Sequence, residues 1–247
     1  MKEMKKRAVV MGATSGLGLE VALVLAEKGW TVGVGGRRRE VLEELVSGHP
    51  NIVAMCVADV TEASATAALD RLIDELGGLD LYFHSSGVGW QNVGLDMERE
   101  LATIETNCEG MARMVGHVFN RFRTQPDSPV RIAVISSIAR TKGLGASPAY
   151  SASKRFTSNY LEALQQLTAI CRLRHISFTD IRPGFVRTPL IEGSNFPMQL
   201  DAHRVAQTIV RAVERGRSVV TVDAFYRLLV MLWSLVPRWL WVRLRIS

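Results

Sequence analysis

The residues best suited to chemistry in this sequence are Tyr150 and Lys154, four positions apart, and Ser137, which precedes them. Side chains four apart lie on one face of a helix, so the lysine charge is predicted to lower the pKa of the tyrosine. Such a phenol can exchange a proton with a carbonyl or alcohol oxygen. Ser137 ends an apolar run, and its hydroxyl is predicted at a strand end, where ligands bind in open α/β sheets. By itself, a Tyr/Lys pair at this spacing more often belongs to a solvated helix surface. Other features of the chain must therefore show whether this pair is catalytic.

The bulk properties of the chain leave several classes of protein open. Its 247 residues suit one large α/β domain or two small ones. The net charge of +6 suits an anionic cofactor, nucleic acid or an anionic membrane surface equally. Cys56, Cys108 and Cys171 show no disulfide or zinc spacing, and no ligand cluster suggests a metal. With no signal-peptide pattern at the start, we expect a reducing, cytoplasmic setting.

Apolar runs rich in β-branched residues alternate with longer segments of helical period. The runs lie near residues 8–11, 31–34, 52–57, 79–83, 130–136, 176–181 and 219–222. Helical candidates include residues 17–28, 62–76, 98–122, 151–171 and a helix from Asp201 to Arg215. Strand and helix in alternation predict an α/β fold, a Rossmann-type doubly wound parallel sheet of about seven strands with helices on both faces. We predict one domain over residues 1–224 and a helical tail over 225–247.

A glycine-rich turn follows the first predicted strand and opens the first helix. Glycines there let the backbone approach a pyrophosphate, which the helix N-terminus attracts. The alternative is a plain tight turn. The cofactor contacts predicted in this turn are Gly12, Thr14, Ser15, Gly16, Leu17 and Gly18.

The ends of the second and third strands predict which dinucleotide would bind. The second strand ends without a carboxylate for a ribose 2′-hydroxyl and is followed by three arginines, of which Arg37 is predicted to hold a 2′-phosphate. NADP(H) is therefore favoured, and solvated arginines are the alternative. Asp59, after the third strand, is placed to accept from an adenine amino group, or else to serve as a helix cap or turn residue.

With these residues the chain resembles the short-chain dehydrogenase/reductase family over roughly residues 7–222. Asn107 matches the asparagine of the family's catalytic tetrad, and Ser137 lies thirteen positions before Tyr150, the family's usual interval. The resemblance implies that Val60 joins Asp59 at the adenine. It also implies that Pro183, Val186 and Thr188 cradle the nicotinamide, with Thr188 and the Val186 backbone at the carboxamide.

One motif departs from the family pattern. Where the family usually has Asn-Asn-Ala-Gly, this chain has His84-Ser85-Ser86-Gly87. Ser85 takes the place of an asparagine that fixes cofactor and neighbouring strands, and it offers fewer hydrogen bonds. His84 is predicted to be a partly buried histidine hydrogen-bonded within the sheet; a role as acid or base is the alternative.

The resemblance implies hydride transfer between nicotinamide and a carbonyl or alcohol carbon. Tyr150 would protonate the forming alkoxide, Ser137 would hydrogen-bond the same oxygen, and Lys154 would hold the nicotinamide ribose. Asn107 would bind a water that links Lys154 to solvent. We predict an apolar ketone or secondary alcohol as substrate, with a lipid-like compound as one candidate, and, from family habit, a homodimer or homotetramer. The alternatives are a catalytically silent NADP-binding sensor and a nucleic-acid-binding protein, which the dispersed charge disfavours.

The last two segments predict how substrate reaches the site. Residues 189–200 mix polar and apolar side chains and are predicted to form a lid, with Trp90 and Val93 lining the opposite wall. The tail has a short apolar run, a break at Pro237, and then arginines among tryptophans. This run is too short to span a bilayer, so we predict either peripheral membrane contact or a substrate-entry helix. The alternatives are packing against its own domain or another subunit, and plain disorder.

Overall fold

The computed structural model describes residues 5–125, 128–191, 193 and 198–245. Its strands are, in chain order, β1 (Arg7–Met11), β2 (Thr31–Gly36), β3 (Ile52–Val57), β4 (Leu81–His84), β5 (Val130–Ile135), β6 (Ile176–Arg182) and β7 (Val219–Thr221). They pair in parallel as one sheet in the order β3-β2-β1-β4-β5-β6-β7. This is the predicted doubly wound sheet, and the predicted fold class is confirmed.

Helices connect the strands and cover both faces of the sheet. They are α1 (Gly16–Glu27), α2 (Arg39–Gly48), α3 (Ala65–Glu75), α4 (Met97–Ile104), α5 (Met111–Arg123), α6 (Pro148–Ile170), α7 (Ala202–Glu214), α8 (Ala224–Leu235) and α9 (Arg238–Trp241). The side chain of Asp201 accepts a hydrogen bond from the Arg204 N–H, so the predicted cap of α7 is confirmed. The helix expected over residues 98–122 is not uniform, because a π-helical turn, Glu105–Gly110, separates α4 from α5.

Each face of the sheet carries its own apolar core. Val9 and Met11 of β1 belong to the core under α3, α5 and α6, whereas Ala8 and Val10 belong to the core under α1, α2 and α7. Successive strand residues point to opposite faces, and both faces are covered here. This explains why the strands appear as continuous apolar runs without alternation.

The position of the candidate site follows from the order of the strands. β1 and β4 are neighbours in the sheet, and Met11 at the end of β1 pairs with His84 at the end of β4. The chain leaves these two strands in opposite directions along the sheet. A crevice therefore opens at their carboxyl ends, where open α/β folds bind ligands.

The C-terminal tail packs against a 3₁₀ segment, Ile138–Thr141, that follows β5. Tyr226 of α8 is buried and its hydroxyl donates to the Met198 carbonyl at 2.9 Å. None of the helices in the described residues has the length and apolar character needed to cross a bilayer. The domain boundary between residues 224 and 225 stays a prediction.

Candidate active site

A cavity of about 760 Å³ lies at the carboxyl edge of the sheet. Its walls come from the glycine turn, the ends of β2 to β6, the start of α6 and one face of α8. This volume is typical of sites for small molecules and cofactors. Of the predicted catalytic and cofactor-binding residues, all except Gly18 and Asn107 line this one crevice.

The glycine turn forms a tight cradle below the crevice. Gly12 adopts φ +87°, and a Cβ on it would lie 2.5 Å from the Ser86 nitrogen. A Cβ on Gly18 would lie 2.1 Å from the Gly12 carbonyl oxygen. Ser15 precedes α1 and makes no side-chain capping hydrogen bond, so the first N–H groups of that helix are available to an anion. These residues fit the pyrophosphate of a dinucleotide.

Two arginines flank the end of the crevice beyond β2. Arg37 is 70 % exposed, and its Nη1 lies 3.6 Å from Asp59 Oδ2. Arg38 donates from Nε and Nη2 to Thr14 Oγ1 at 3.2 and 2.9 Å. The sequence pointed to Arg37 and missed Arg38, because a run of three arginines does not show which side chain turns back toward the glycine turn. Both line the crevice and fit a 2′-phosphate.

Asp59 has a structural role in the turn after β3. Its Oδ1 accepts from the Thr61 N–H at 3.0 Å and from the Thr61 hydroxyl at 2.8 Å. Partial burial raises the pKa of Asp59, but the Thr61 hydrogen bonds and the Arg37 charge outweigh it, so the pKa lies below its ordinary value. The alternative role as a turn residue is therefore observed. Asp59 and Val60 also line the crevice, and their contact with adenine stays a prediction.

Ser137, Tyr150 and Lys154 converge on one side of the crevice. The Tyr150 hydroxyl lies close enough to Ser137 for the two side chains to interact, and Ser137 Oγ accepts from the Ala139 N–H at 3.1 Å. Lys154 Nζ donates to the Ile135 carbonyl at 3.1 Å and lies 5.6 Å from the centroid of the Tyr150 ring. A phenol, a hydroxyl and an ammonium group thus meet where the predicted chemistry requires them.

The predicted lowering of the tyrosine pKa is wrong for the protein alone. Burial raises the pKa of Tyr150 above its ordinary value, and the interaction with Ser137 only partly opposes this effect. Burial also lowers the pKa of Lys154 to about 8. The ammonium group lies near the tyrosine ring and is bonded to the Ile135 carbonyl, so the cost of burying a phenolate outweighs its attraction.

Asn107 lies in the π-helical turn between α4 and α5. Its Nδ2 donates to the Val88 carbonyl at 2.7 Å and to Ser153 Oγ at 3.0 Å, and its Oδ1 accepts from the Val88 N–H at 2.9 Å. The carboxamide therefore ties the loop after β4 to α6, directly behind the crevice. π-Turns of this kind occur frequently at functional sites. The water-binding role of Asn107 stays a prediction.

His84 is more deeply buried than the sequence suggested, at 1 % exposure. Its Nδ1 is hydrogen-bonded to the Tyr82 hydroxyl at 2.9 Å, which confirms a histidine bonded within the sheet. Its Nε2 is buried without a hydrogen-bond partner among the described residues. Burial, aided by the Lys154 charge, lowers the pKa of His84 to about 3. The ring is therefore neutral at physiological pH.

The two serines after His84 pack against the glycine turn. The Ser85 N–H donates to the Met11 carbonyl at 2.8 Å, and a Cβ on Gly18 would lie 3.0 Å from the Ser85 Cβ. Because Ser86 backbone atoms also approach Gly12 closely, small side chains suit this contact. Ser85 lines the crevice, and its contact with a cofactor stays a prediction.

The segment after β6 forms the opposite wall. Pro183, Val186 and Thr188 all line the crevice, and the Thr188 hydroxyl donates to the Val186 carbonyl at 3.2 Å. A Cβ on Gly16 would lie 3.4 Å from the Thr188 side chain, so the two walls approach each other. This segment is where the resemblance places the nicotinamide contacts, which stay predictions.

The part of the crevice beyond Tyr150 is largely apolar. The apolar side chains that line it there are Trp90, Leu190, Ile191, Met198, Phe225, Leu229 and Trp233. Residues 192 and 194–197, including Phe196 of the predicted lid, lie outside the described residues. Val93 does not line this crevice but a second cavity, which corrects its predicted position. Helix α8 contributes more side chains to the lining of the crevice than the sequence indicated.

The fold and this site define an α/β protein whose crevice fits a dinucleotide and has a serine, a tyrosine and a lysine along one side. Among the described residues no cluster of three or more histidines, cysteines or carboxylates could hold a metal ion. The family model for short chain dehydrogenase matches residues 6–197. The chain belongs to this family of oxidoreductases, and the predicted resemblance is confirmed.

Curated relatives agree with this assignment. An uncharacterized oxidoreductase of Myxococcus xanthus is 35 % identical over 230 residues, which are 90 % of this chain and 89 % of that protein. The glycine betaine reductase ATRR of Emericella nidulans is 33 % identical over 196 residues, which are 75 % of this chain but only 15 % of that protein. The latter resemblance concerns one part of a much longer enzyme.

Solved structures share the fold at low sequence identity. A short chain dehydrogenase from Burkholderia cenocepacia, in complex with NADP, superposes with a TM-score of 0.82 at 21 % identity, covering all of both chains. A variant of the actinorhodin polyketide ketoreductase with NADPH gives a TM-score of 0.76 at 23 % identity, covering 90 % of this chain and 97 % of the other. These similarities support the fold.

Proposed function

We propose that this protein is an NADP(H)-dependent oxidoreductase acting on an apolar, lipid-like ketone or secondary alcohol. The observation that carries the proposal is the convergence of Ser137, Tyr150 and Lys154 at the junction between the dinucleotide crevice and its apolar end. A silent NADP-binding sensor is less well supported, because a sensor would not need this set of proton-handling groups beside an apolar cavity.

The choice of NADP(H) is supported by charge at the far end of the crevice. Arg37 and Arg38 lie beside the glycine turn, and Asp59, the ion-pair partner of Arg37, is also bound by Thr61. A 2′-phosphate would meet two guanidinium groups there. The two solved structures compared above contain NADP or NADPH, which agrees with this cofactor.

The chain's own residues would handle the proton and the charge. When bound, the nicotinamide supplies or accepts the hydride. In reduction, Tyr150 donates its proton to the forming alkoxide and Ser137 donates a hydrogen bond to the same oxygen. Lys154, with its pKa at about 8, is mainly cationic at neutral pH, where it would hold the ribose hydroxyls. Asn107 fixes the backbone of the adjoining loop.

The apolar end of the crevice supports a lipid-like substrate. Leu229 and Trp233 project from α8 into the crevice. Leu228, Met231, Leu232 and Leu235 of the same helix are each more than half exposed. One apolar helix thus forms both a wall of the site and an exposed surface. We propose that this surface makes peripheral contact with a membrane, from which an apolar substrate enters the crevice.

The proposed chemistry is tested by Tyr150→Phe. We expect turnover to fall by roughly 10²–10⁴-fold, because the variant lacks the proton donor, while NADPH binding measured by fluorescence is largely retained. The assay is NADPH oxidation across a series of ketones graded in chain length. The control is Tyr160→Phe, a tyrosine on the same helix that does not line the crevice. A near-normal rate for Tyr150→Phe on an established substrate would refute the mechanism.

A further inference from the structure

A second cavity of about 830 Å³ lies between the C-terminal tail and the segment joining β5 to α6. Four cationic side chains line it: Arg140, Lys142, Arg155 and Arg245. No carboxylate is among its described lining residues. Four positive charges around one cavity attract an anion.

The cations around this cavity are not neutralised by carboxylates. In the described part of the chain, none of the four forms an ion pair. The Nε of Arg140 is buried and has no hydrogen-bond partner among the residues described. Asp180 and Glu162 act on Arg140 at longer range, and Asp180 is already bound by Arg182 and Ser136. The cavity therefore keeps a net positive charge that an anionic ligand would balance.

The C-terminal tail forms one wall of this cavity. Lys142 Nζ donates to the Val236 carbonyl at 2.7 Å and lies 5.9 Å from the Trp241 ring centroid. The Trp241 Nε1 donates to the Gly143 carbonyl at 2.7 Å. These bonds hold α9 over the loop after β5. Arg245, four residues after Trp241, thereby joins Arg155 of α6 in lining the same cavity.

The rim of the cavity is apolar and faces solvent. Val93, Val242 and Leu244 line it and are 80 %, 68 % and 45 % exposed. Trp239, 62 % exposed, lies nearby in α9, with the Arg243 guanidinium 5.9 Å from its ring centroid. A cationic lining with an exposed apolar rim and an exposed tryptophan beside it matches the charge and polarity of an anionic bilayer surface. A free anion would not require the apolar rim.

We propose that this second cavity binds the phosphate group of an anionic membrane phospholipid, with its apolar rim in contact with the acyl-chain boundary. The site goes beyond the proposed reductase activity and deepens the proposed membrane contact by giving it a headgroup preference. Leu144 and Ala146 line both cavities, so a bound headgroup would lie next to the catalytic crevice. The tail would then be oriented with the crevice close to the membrane.

The test is sedimentation of the full chain with vesicles of phosphatidylcholine alone or mixed with phosphatidylglycerol. Arg155→Gln/Arg245→Gln removes two charges from the cavity. We expect it to weaken binding to the mixed vesicles by about thirtyfold, which corresponds to about 2 kcal/mol for two cations near an anionic surface. The control is Arg172→Gln/Arg174→Gln, which removes two exposed arginines from the turn after α6. This control pair should bind nearly as well as the unmodified protein.

Three results would overturn the site. Equal weakening by both double variants would mean that binding follows overall charge. If the unmodified protein does not prefer the mixed vesicles, the cavity does not bind an anionic phospholipid. Stabilisation by inorganic phosphate in a thermal melt, without vesicle binding, would assign the cavity to a free anion. None of the four substituted arginines lines the catalytic crevice, so NADPH oxidation without vesicles should be unchanged in both double variants. Failure of this site is thereby distinguishable from failure of the proposed reductase function.

Discussion

Replacing His84 with asparagine should make the fold less sensitive to mild acid. The pKa of His84 lies at about 3 in the folded chain, below its ordinary value of 6.5, because burial disfavours the cation. A depressed histidine pKa means that the unfolded chain binds the proton more readily. Stability is therefore full above pH 6.5 and is lost as the pH falls from 6.5 toward 3. Between pH 7 and pH 5 this one group should lower the free energy of unfolding by about 2 kcal/mol.

The measurement is urea unfolding at pH 7 and pH 5, followed by tryptophan fluorescence. Asparagine does not titrate in this range, so His84→Asn should lose about 2 kcal/mol less than the unmodified protein between the two pH values. Tyr82→Phe is the matched control, since it removes the hydrogen bond to Nδ1 but leaves the histidine buried. This control should keep the full acid sensitivity. The reasoning fails if His84→Asn and the unmodified protein lose the same stability on acidification.

Two further predictions concern the dinucleotide end of the crevice. Gly18→Ala places a Cβ against the Gly12 carbonyl and should weaken NADPH binding at least about tenfold, or roughly 1.4 kcal/mol, in a fluorescence titration. Gly48→Ala, where a Cβ would meet nothing within 4 Å, should leave NADPH binding unchanged, and equal affinities for both variants would contradict the cradle. Arg37→Asp should reduce the preference for NADPH over NADH about tenfold or more in steady-state kinetics, and an unchanged ratio would rule out Arg37 as a 2′-phosphate contact.

The fold could be predicted because its signals are local. Strands covered on both faces give continuous apolar runs, as in residues 8–11 of β1 and residues 81–83 of β4, and helices of clear period separate them. The glycine turn is recognisable from the sequence because positions 12 and 18 must lack a Cβ, which would otherwise clash with nearby backbone atoms. The serine, tyrosine and lysine of the site come from a strand end and the following helix, so sequence order alone brings them close together.

The remaining features depend on how distant segments meet. No local signal predicts the π-turn that carries Asn107 or the choice of Arg38 as the partner of Thr14. The sign of the Tyr150 pKa change required the depth of burial, which spacing does not give. The second cavity required the packing of the tail against residues about a hundred positions earlier, such as Trp241 on Gly143. All of these features are set by contacts between segments that are distant in the sequence.

The burial of His84 has a consequence for the candidate catalytic groups. His84 and Lys154 are both basic groups in an apolar environment, and the charge on each disfavours a charge on the other. Because the histidine pKa falls to about 3 and the lysine pKa only to about 8, the lysine retains the single positive charge at neutral pH. With a pKa of about 3, His84 is a poor base and is not protonated there, and it is buried and does not line the crevice. The departure from the family pattern at this position is thus compatible with chemistry that relies on a cationic Lys154, and the acid or base alternative for His84 is disfavoured.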